Sequence, residues 1–366
     1  MTPRELEKWA VDNGFGGYFA KGGLIAPSPG DVHVNTPLTN ISIAYMQAEA
    51  MFVANRIFPM VPVMKRSDVY YTFDRDDWLR DEMQERAPGT ESSGSGYKVA
   101  TENYMTRVYA HHKDIDDQTR ANADMQVRLD ANATRFVTQK GLIQRERRFA
   151  AVALQDDVWN YKVMGQAAPG NLGVNLFSDT ASELTDATIQ QWSQSTSNPI
   201  EDIKTMKRAV QVRTSFRPNV LVIGRSAYDV LTEHPDILDR MNRGQTRGNV
   251  MANMQDLMQL FELDDIVIMD AIYNTDGPSL GATPLTSYNF VNDDDALLLY
   301  RPSQPGLEVP SAGYMFAWTG LVGGSNGMRV KRFRMEQIES SRIELQQAYD
   351  FKVTGADLAV WMEDIV

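Results

Sequence analysis

The chain has no cysteine among its 366 residues, which excludes disulfides, zinc–thiolate sites and thiol catalysis and leaves packing to hold the fold. It also lacks any apolar run near the roughly 18 residues of a membrane span. The opening MTPRELEKWAVDNGFGG places Glu5, Glu7 and Lys8 where a signal peptide keeps an uninterrupted apolar core, so a protein made and used in solution is expected. Positive charge is in deficit: 36 basic against 48 acidic residues give a formal charge of -12, which favours solubility and disfavours sequence-specific DNA binding. No Walker or Rossmann glycine pattern follows a predicted strand, and Gly14, Gly16 and Gly17 precede no predicted helix. No internal repeat or low-complexity block appears either. What is present is ordinary for a globular protein, 43% hydrophobic and 23% charged, with length for two or three domains. The nineteen methionines are gap fillers for irregular packing.

Residues 1–40 are too rich in glycine and proline for a regular element and read as an arm. The run ISIAYMQAEAMFVANRIF, from Ile41, has helix formers at its centre and is broken by Pro59 and Pro62. PVMKRSDVYYTFDRDDWL then has strong β propensity from Val69 to Phe73, and YKVATENYMTRVYAHHKDI alternates in the same manner. Between them RAPGTESSGSGYKV, Arg86 to Val99, has the composition of a linker. Strands on both sides make it the tip of a hairpin arm instead. Flanks of about 18 residues would reach about 60 Å. A two-stranded ribbon is marginal by itself, so it needs a surface to lie on, and another subunit can supply one.

The segment from Met125 to Tyr161 predicts a long helix opened by Asp124, with a broken apolar stripe of Leu129, Ala133, Phe136, Ile143, Ala150, Leu154 and Val158. Gly141 in its middle costs about 1 kcal/mol relative to alanine. A Gly/Pro-containing boundary follows, then an amphipathic helix opened by Asn198 and Pro199, the strand PNVLVIG, two short helices split at Pro235, a helix within NVMANMQDLMQLFEL, and the strands DIVIMDAIY, ALLLYRP and GYMFAWT. The tail reads as successive strands that must pair elsewhere, with the long helix offering an apolar face.

Candidate chemistry is thin. His111 and His112 cluster with carboxylates, but neighbours on a strand point to opposite faces and cannot easily share an ion. The acidic runs at Asp74 and Asn292 lack the glycine and distal glutamate of a calcium loop. Ser226 lies at a strand-to-helix junction after Gly224, as a hydrolase nucleophile does, but Tyr228 stands where the second glycine belongs, and an N-cap is the expected role. Arg329, Lys331, Arg332 and Arg334 precede Glu336, Glu339 and Glu344, which predicts a salt-bridged strand edge. Arg145, Arg147 and Arg148 on the long helix are expected at a solvated or intersubunit face. No catalytic, cofactor or metal residue emerges, and the expected role is not enzymatic.

The order of elements, with RIFPMVPV, DEMQERAPGTESSGSGY, VYAHHKDIDDQTRANAD, PNVLVIGRSAYDVLTEHPDILDRM, DALLLYRPSQPGLEVPSAGYMFAWTG and AYDFKVTGADLAVW in sequence, resembles the major capsid proteins of tailed bacteriophages. The resemblance implies an α+β protein of the Hong Kong 97 type capsid fold. It implies an N-terminal arm and first helix (1–60), an extended β-hairpin loop (61–117), a peripheral domain with a spine helix (118–198), an axial domain (199–320) and returning peripheral strands (321–366). It further implies a structural subunit that self-assembles into pentamers and hexamers of an icosahedral head around double-stranded DNA, without sequence-specific binding, membrane or cofactor. Scaffold, portal or decoration proteins are the further partners, the virion is the location, and the bacterial cytoplasm is the site of assembly. The expected intersubunit contacts are Arg86, Pro88, Gly89, Glu91 and Tyr97 at the loop tip and Arg145, Arg147 and Arg148 on the helix. An encapsulin-like compartment shell is the alternative, and a serine hydrolase using Ser226 a distant one.

Overall fold

The computed structural model describes residues 46–73, 75–123, 128–172, 187–242, 252–275, 287–306, 309–322 and 327–366. The arm over residues 1–40 with its glycines, Asp74, Asp124, most of the boundary segment and the Gly/Pro/Thr loop after DIVIMDAIY lie outside these.

The apolar run before Pro59 forms a 3-10 turn at Glu49–Met51 and the single helical turn α1 (Ala54–Ile57). Strands β1 (Met60–Val63) and β2 (Ser67–Phe73) follow, then one turn, α2 (Arg75–Trp78), and β3 (Val99–Met105). β2 and β3 pair antiparallel from Ser67 opposite Met105 to Phe73 opposite Val99. The ribbon is thus shorter than its flanks predict, because the second flank divides at Thr106. This buried threonine donates its N–H and hydroxyl to the Arg66 carbonyl at 2.8 and 2.9 Å. The rest of the flank, β4 (Arg107–Asp116), joins another sheet and leads into α3 (Asp117–Asn122), which Asp116 caps by accepting from the Thr119 N–H.

α4 (Leu129–Ala153) is the long helix. Its buried positions Ala133, Val137, Gly141, Arg145, Phe149 and Ala153 recur every fourth residue, and of the expected stripe only Ala133 is fully buried. Phe136 is 42% exposed. After α4 come β5 (Lys162–Gln166), β6 (Ala187–Gln190) and α5 (Pro199–Thr214), whose Asn198 side chain accepts from the Glu201 N–H ahead of Pro199. β7 (Val220–Gly224), α6 (Arg225–Glu233), α7 (Pro235–Asn242), α8 (Met254–Phe261) and β8 (Asp265–Met269) build the next layer, α8 entered through an Asn253–Asp256 capping box. β9 (Ile272–Asn274), β10 (Tyr288–Phe290), β11 (Ala296–Leu299), β12 (Gly313–Trp318), α9 (Thr319–Val322), β13 (Met328–Met335), β14 (Ser340–Val353) and β15 (Ala359–Glu363) complete the chain.

Two large sheets result. In the first, β14 is the hub: β4 runs antiparallel along one side, β13 and then β12 along the other, and β1 lies parallel beyond β12. α4 lies across this sheet, with Ala133 and Val137 against Ile115, Ile343 and Leu345. It sits so close that a Cβ on Gly141 would stand 2.1 Å from Gln347 Nε2 and 2.2 Å from Leu345 Cδ2. Close approach, not flexibility, explains the glycine. The second sheet has the order β6-β5-β15-β11-β7-β8. Leu221, Ile223, Leu298 and Val360 on one face meet α5 through α8, while Val222, Leu297, Leu299 and Trp361 on the other meet the core that also holds Phe58, Phe149 and Phe351. The strands do not divide at the boundaries expected from sequence. β12 lies in the first sheet with β14, whereas β5, β6 and β15 join β7, β8 and β11.

Candidate assembly surface

The β2–β3 hairpin has two unlike faces, because alternate side chains point in opposite directions. On the inner face Tyr104 stacks on Phe316 with centroids 4.6 Å apart, Tyr70 lies 5.7 Å from the same ring, and Tyr314, Val61 and Val63 complete the cluster. Burial, reinforced by Glu102 and Asp350, pushes the Tyr70 phenol up to about 12. The hairpin is tied to its own subunit at both ends. Asp350 accepts from the Met105 N–H at 3.2 Å, and Arg75 pairs with Asp357 at 2.9 Å.

Among the described residues the outer face has no such cover. Val69, Tyr71 and Phe73 project from β2 with Val99 across the ladder, and Tyr71 is 70% exposed. Trp78, Leu79, Met83 and Tyr97 extend the apolar surface toward the tip, Met83 being 92% exposed. Phe73, Trp78 and Tyr97 form an aromatic triangle with centroid separations of 6.2, 6.0 and 5.5 Å. A monomeric protein rarely leaves so continuous an apolar surface in water, and such surfaces mark interaction sites.

At the tip, Ala87 to Thr90 form a type II turn: Pro88 sets the first corner, Gly89 takes φ 81°, and the Thr90 N–H donates to the Ala87 carbonyl at 3.2 Å. Arg86 donates to the Thr90 carbonyl at 2.5 Å. Arg86, Pro88, Gly89 and Glu91 are all exposed, as is Tyr97. Pro88 and Gly89 therefore shape the tip, while Tyr97 belongs to the apolar face.

The three helix arginines separate. Arg145, expected at a solvated or intersubunit face, is 2% exposed inside the subunit: its guanidinium donates to Gln347 and Asn55 and lies 5.1 Å over the Tyr349 ring. Burial under β14 withdraws it from any neighbour. Arg147 is exposed, over the Tyr273 ring at 4.5 Å, and Arg148 is half-buried. Residue type gave no signal for the burial of Arg145, nor for that of Glu146 beside it. Glu146 Oε2 accepts the Val53 and Ala54 N–H groups at 3.1 and 3.0 Å, tying α4 to the start of α1.

Burial pushes the Glu146 carboxyl up to about 7 against these two bonds. A carboxyl raised from its ordinary value near 4.5 binds more protons folded than unfolded, so its contribution is full at low pH and is lost as pH climbs to about 7. Between Glu146→Gln and wild type, the stability difference should shift toward the variant by about 3 kcal/mol from pH 4.5 to 7.5. Urea unfolding across that range measures it, and parallel profiles would contradict the assignment.

The hydrolase constellation does not assemble around Ser226. Gly224 is the N-cap of α6, so Ser226 is not the cap expected; it lies inside the first turn and donates to Asp293. A Cβ on Gly224 would stand 2.1 Å from the Asp293 carbonyl, which accounts for that glycine. A buried serine–histidine pair exists elsewhere, Ser197 and His234 at 3.0 Å. His234 Nδ1 accepts from the Asp236 N–H, so Nε2 carries the proton and donates to Ser197, whose hydroxyl donates to the Gln194 carbonyl. Such an imidazole has no lone pair free to take the serine proton. His111 and His112 face opposite ways, and among the described residues no His/Cys/Asp/Glu group suits a metal. The basic strand is salt-bridged, but mainly to partners outside its own tail: Arg332 to Asp130 at 3.1 Å and Arg334 to Asp117 at 2.5 Å, with Glu336 a further partner of Arg334.

The family described as phage major capsid protein E matches residues 174–307. A major capsid protein of Pseudomonas phage JBD67 is 24% identical over 348 residues, covering 93% of this chain and 98% of the relative. One of Burkholderia phage BcepMu is 26% identical over 292 residues, covering 77% and 82%. Among solved structures, a phage-related protein of Bordetella bronchiseptica RB50 superposes with TM-score 0.59 at 19% identity, covering 91% of this chain and 97% of that one. The capsid of cyanophage P-SCSP1u gives TM-score 0.56 at 11% identity, with 92% and 98% covered. The fold is the Hong Kong 97 type capsid fold implied by the sequence resemblance.

Proposed function

We infer that this chain is a phage major capsid protein, the repeating structural subunit of a virion shell. The observation that carries the physical argument is the outer hairpin face: apolar, mounted on its own sheet through the inner face, and without a partner among the described residues. Copies of the chain cover one another's exposed surfaces and so assemble. Within that reading, pentamers and hexamers enclose double-stranded DNA, and the projecting loop expected over 61–117 narrows to β2, β3 and the tip between them, because β1 and β4 lie in the first sheet; the β14 sheet with α4 is the peripheral part, and the second sheet with α5 through α8 is the axial part. Arg86, Glu91 and Tyr97 at the tip, with Arg147 and Arg148 on α4, are the proposed neighbour contacts. Scaffold or portal proteins guide closure in the host cytoplasm. Both curated relatives are phage capsid proteins, which favours this over an encapsulin-like compartment.

Electron microscopy of the overexpressed, purified chain tests the reading. Closed shells are expected, with duplex DNA inside those taken from virions, and a chain that stays monomeric at all concentrations would refute it. Deleting Glu91 to Gly96, or reversing Arg86 to glutamate, removes tip contacts without touching a core. The subunit should fold normally and give fewer or less heat-resistant shells; normal heads of equal resistance would remove the tip from the contact set.

A further inference from the structure

The first described residues, Met46 to Ala54, form a thin strap laid from β9 to α4. At one end the Gln47 side chain imitates a strand: its Oε1 accepts from the Ile272 N–H at 2.9 Å, and its Nε2 donates to the Ile272 carbonyl at 2.5 Å. At the other end the Val53 and Ala54 N–H groups rest on Glu146 Oε2. Between these ties little is covered, since Met46, Ala48, Glu49, Ala50 and Met51 are exposed and the 3-10 turn closes on itself. Beyond Asn55 the chain is anchored differently. Ile57 and Phe58 are fully buried in the core that holds Phe149, and Arg56 pairs with Asp265 at 3.1 Å. The strap can leave while its root stays fixed, uncovering only two small buried side chains, Val53 and Ala54.

The tie to α4 is half-made. Glu146 is 1% exposed, and its second oxygen, Oε1, is buried with no hydrogen-bond partner among the described residues. Arg145, beside it on α4, is turned to Gln347, Asn55 and the Tyr349 ring. An arginine keeps its charge throughout, and burial pushes the Tyr349 phenol far up, so neither changes state near neutral pH. On β14 Asp350 accepts from the Met105 N–H, on β8 Asp265 holds Arg56, and Glu49 on the strap is exposed. Glu146 is therefore the titratable group that the strap itself covers. A buried carboxylate with one oxygen bare favours its neutral form, which is why burial outweighs the two N–H bonds there.

We propose that the Met46–Ala54 strap is a proton-operated latch: it docks on α4 with Glu146 protonated, and loss of that proton to water loosens it. Once the strap leaves, Glu146 is hydrated and returns to its ordinary value near 4.5, against about 7 when covered. Docking thus takes up a proton between those values. Its equilibrium constant is greatest at low pH, falls about tenfold per pH unit from about 4.5 to about 7, and levels above. Residues 1–45 join the described fold through this strap, so the latch sets where they leave it. The device stands on contacts within one subunit and holds whether or not shells form.

Amide hydrogen exchange of the purified full chain, normalised to the intrinsic rate at each pH, tests the latch. Protection of the Val53 and Ala54 amides should fall about 70-fold from about pH 5 to about pH 8, while amides of β11 and β14 keep theirs. Glu146→Gln presents an oxygen to the same two N–H groups and cannot ionise, so its strap should stay docked with a flat profile. Gln47→Ala removes the other tie without touching a core, and should lower protection at every pH while leaving the slope intact. Asp265→Asn should leave the profile of the strap unchanged, since Arg56 lies on the fixed side of the hinge. A flat wild-type profile, or a slope that survives in Glu146→Gln, would overturn the latch. So would the same profile in β11, which would mark opening of the whole subunit rather than of the strap. Electron microscopy on the same preparations scores shells separately: their absence counts against the capsid reading, and a flat profile against the latch alone.

Discussion

Val69→Asp combined with Tyr71→Asp should leave the subunit folded and stop it from making shells. Both side chains point outward from β2, away from the Tyr70–Tyr104–Phe316 stack that mounts the hairpin on its sheet. Exposed substitutions of this kind usually change stability by within about 0.5 kcal/mol, so thermal unfolding of the subunit should barely move. In the shell the same carboxylates would be buried against a neighbour without a cation. Desolvating an unpaired charge costs several kcal/mol even after relaxation. At about 1.4 kcal/mol per factor of ten, the concentration needed for assembly should rise at least about 100-fold. Light scattering and electron microscopy across a concentration series read this directly. Normal shells at wild-type concentrations would show that this face meets solvent. The paired control is Tyr104→Ala, on the inner face, which should loosen the hairpin and lower the subunit's own stability.

Phe149→Ala should cost the subunit about 3–5 kcal/mol, a large fraction of the total stability of a typical domain. Phe149 is fully buried on α4, with the Phe58 ring 5.1 Å away and the Phe351 ring 5.7 Å away, both edge-on. Those three rings come from the segment after α1, the middle of the chain and the end of β14, and their core also lines one face of the second sheet. Truncation opens a cavity where four elements converge, and the well-packed surroundings cannot collapse into it. Denaturant unfolding should show a large fall in midpoint, with Phe149→Leu recovering much of it. A loss below about 1 kcal/mol would mean that this junction is not what joins the two sheets.

Much of this architecture was legible in residue order. Asn198 before Pro199 marks the start of α5, Pro235 divides α6 from α7, and the alternating runs around the Gly/Ser-rich tip predict a hairpin. Each is a local effect, decided by a fixed φ, a cap or a period of two. The candidate surface was legible only in part. The tip turn follows from Pro88–Gly89, but the apolar face was not anticipated, since Tyr71 and Trp78 are of core-residue type and are left outside because no described element packs over them. The division of the second flank at Thr106 also escaped notice, because both halves have strand-forming sequences and only the competition of β14 for β4 separates them.

Arg145 and Glu146 show the limit most clearly. By type they belong in water, and a stripe drawn through apolar residues passes them by. They are buried because β14 lies across α4 and because the Val53 and Ala54 N–H groups lie where a carboxylate can accept them. The sequence by itself determined the elements, their order and a chemistry without thiols or membrane spans, since these depend on each residue and its near neighbours. Which charges are buried and which apolar face is left bare were decided by the tertiary structure. Burial depends on what packs opposite, and those partners lie up to nearly three hundred residues away along the chain.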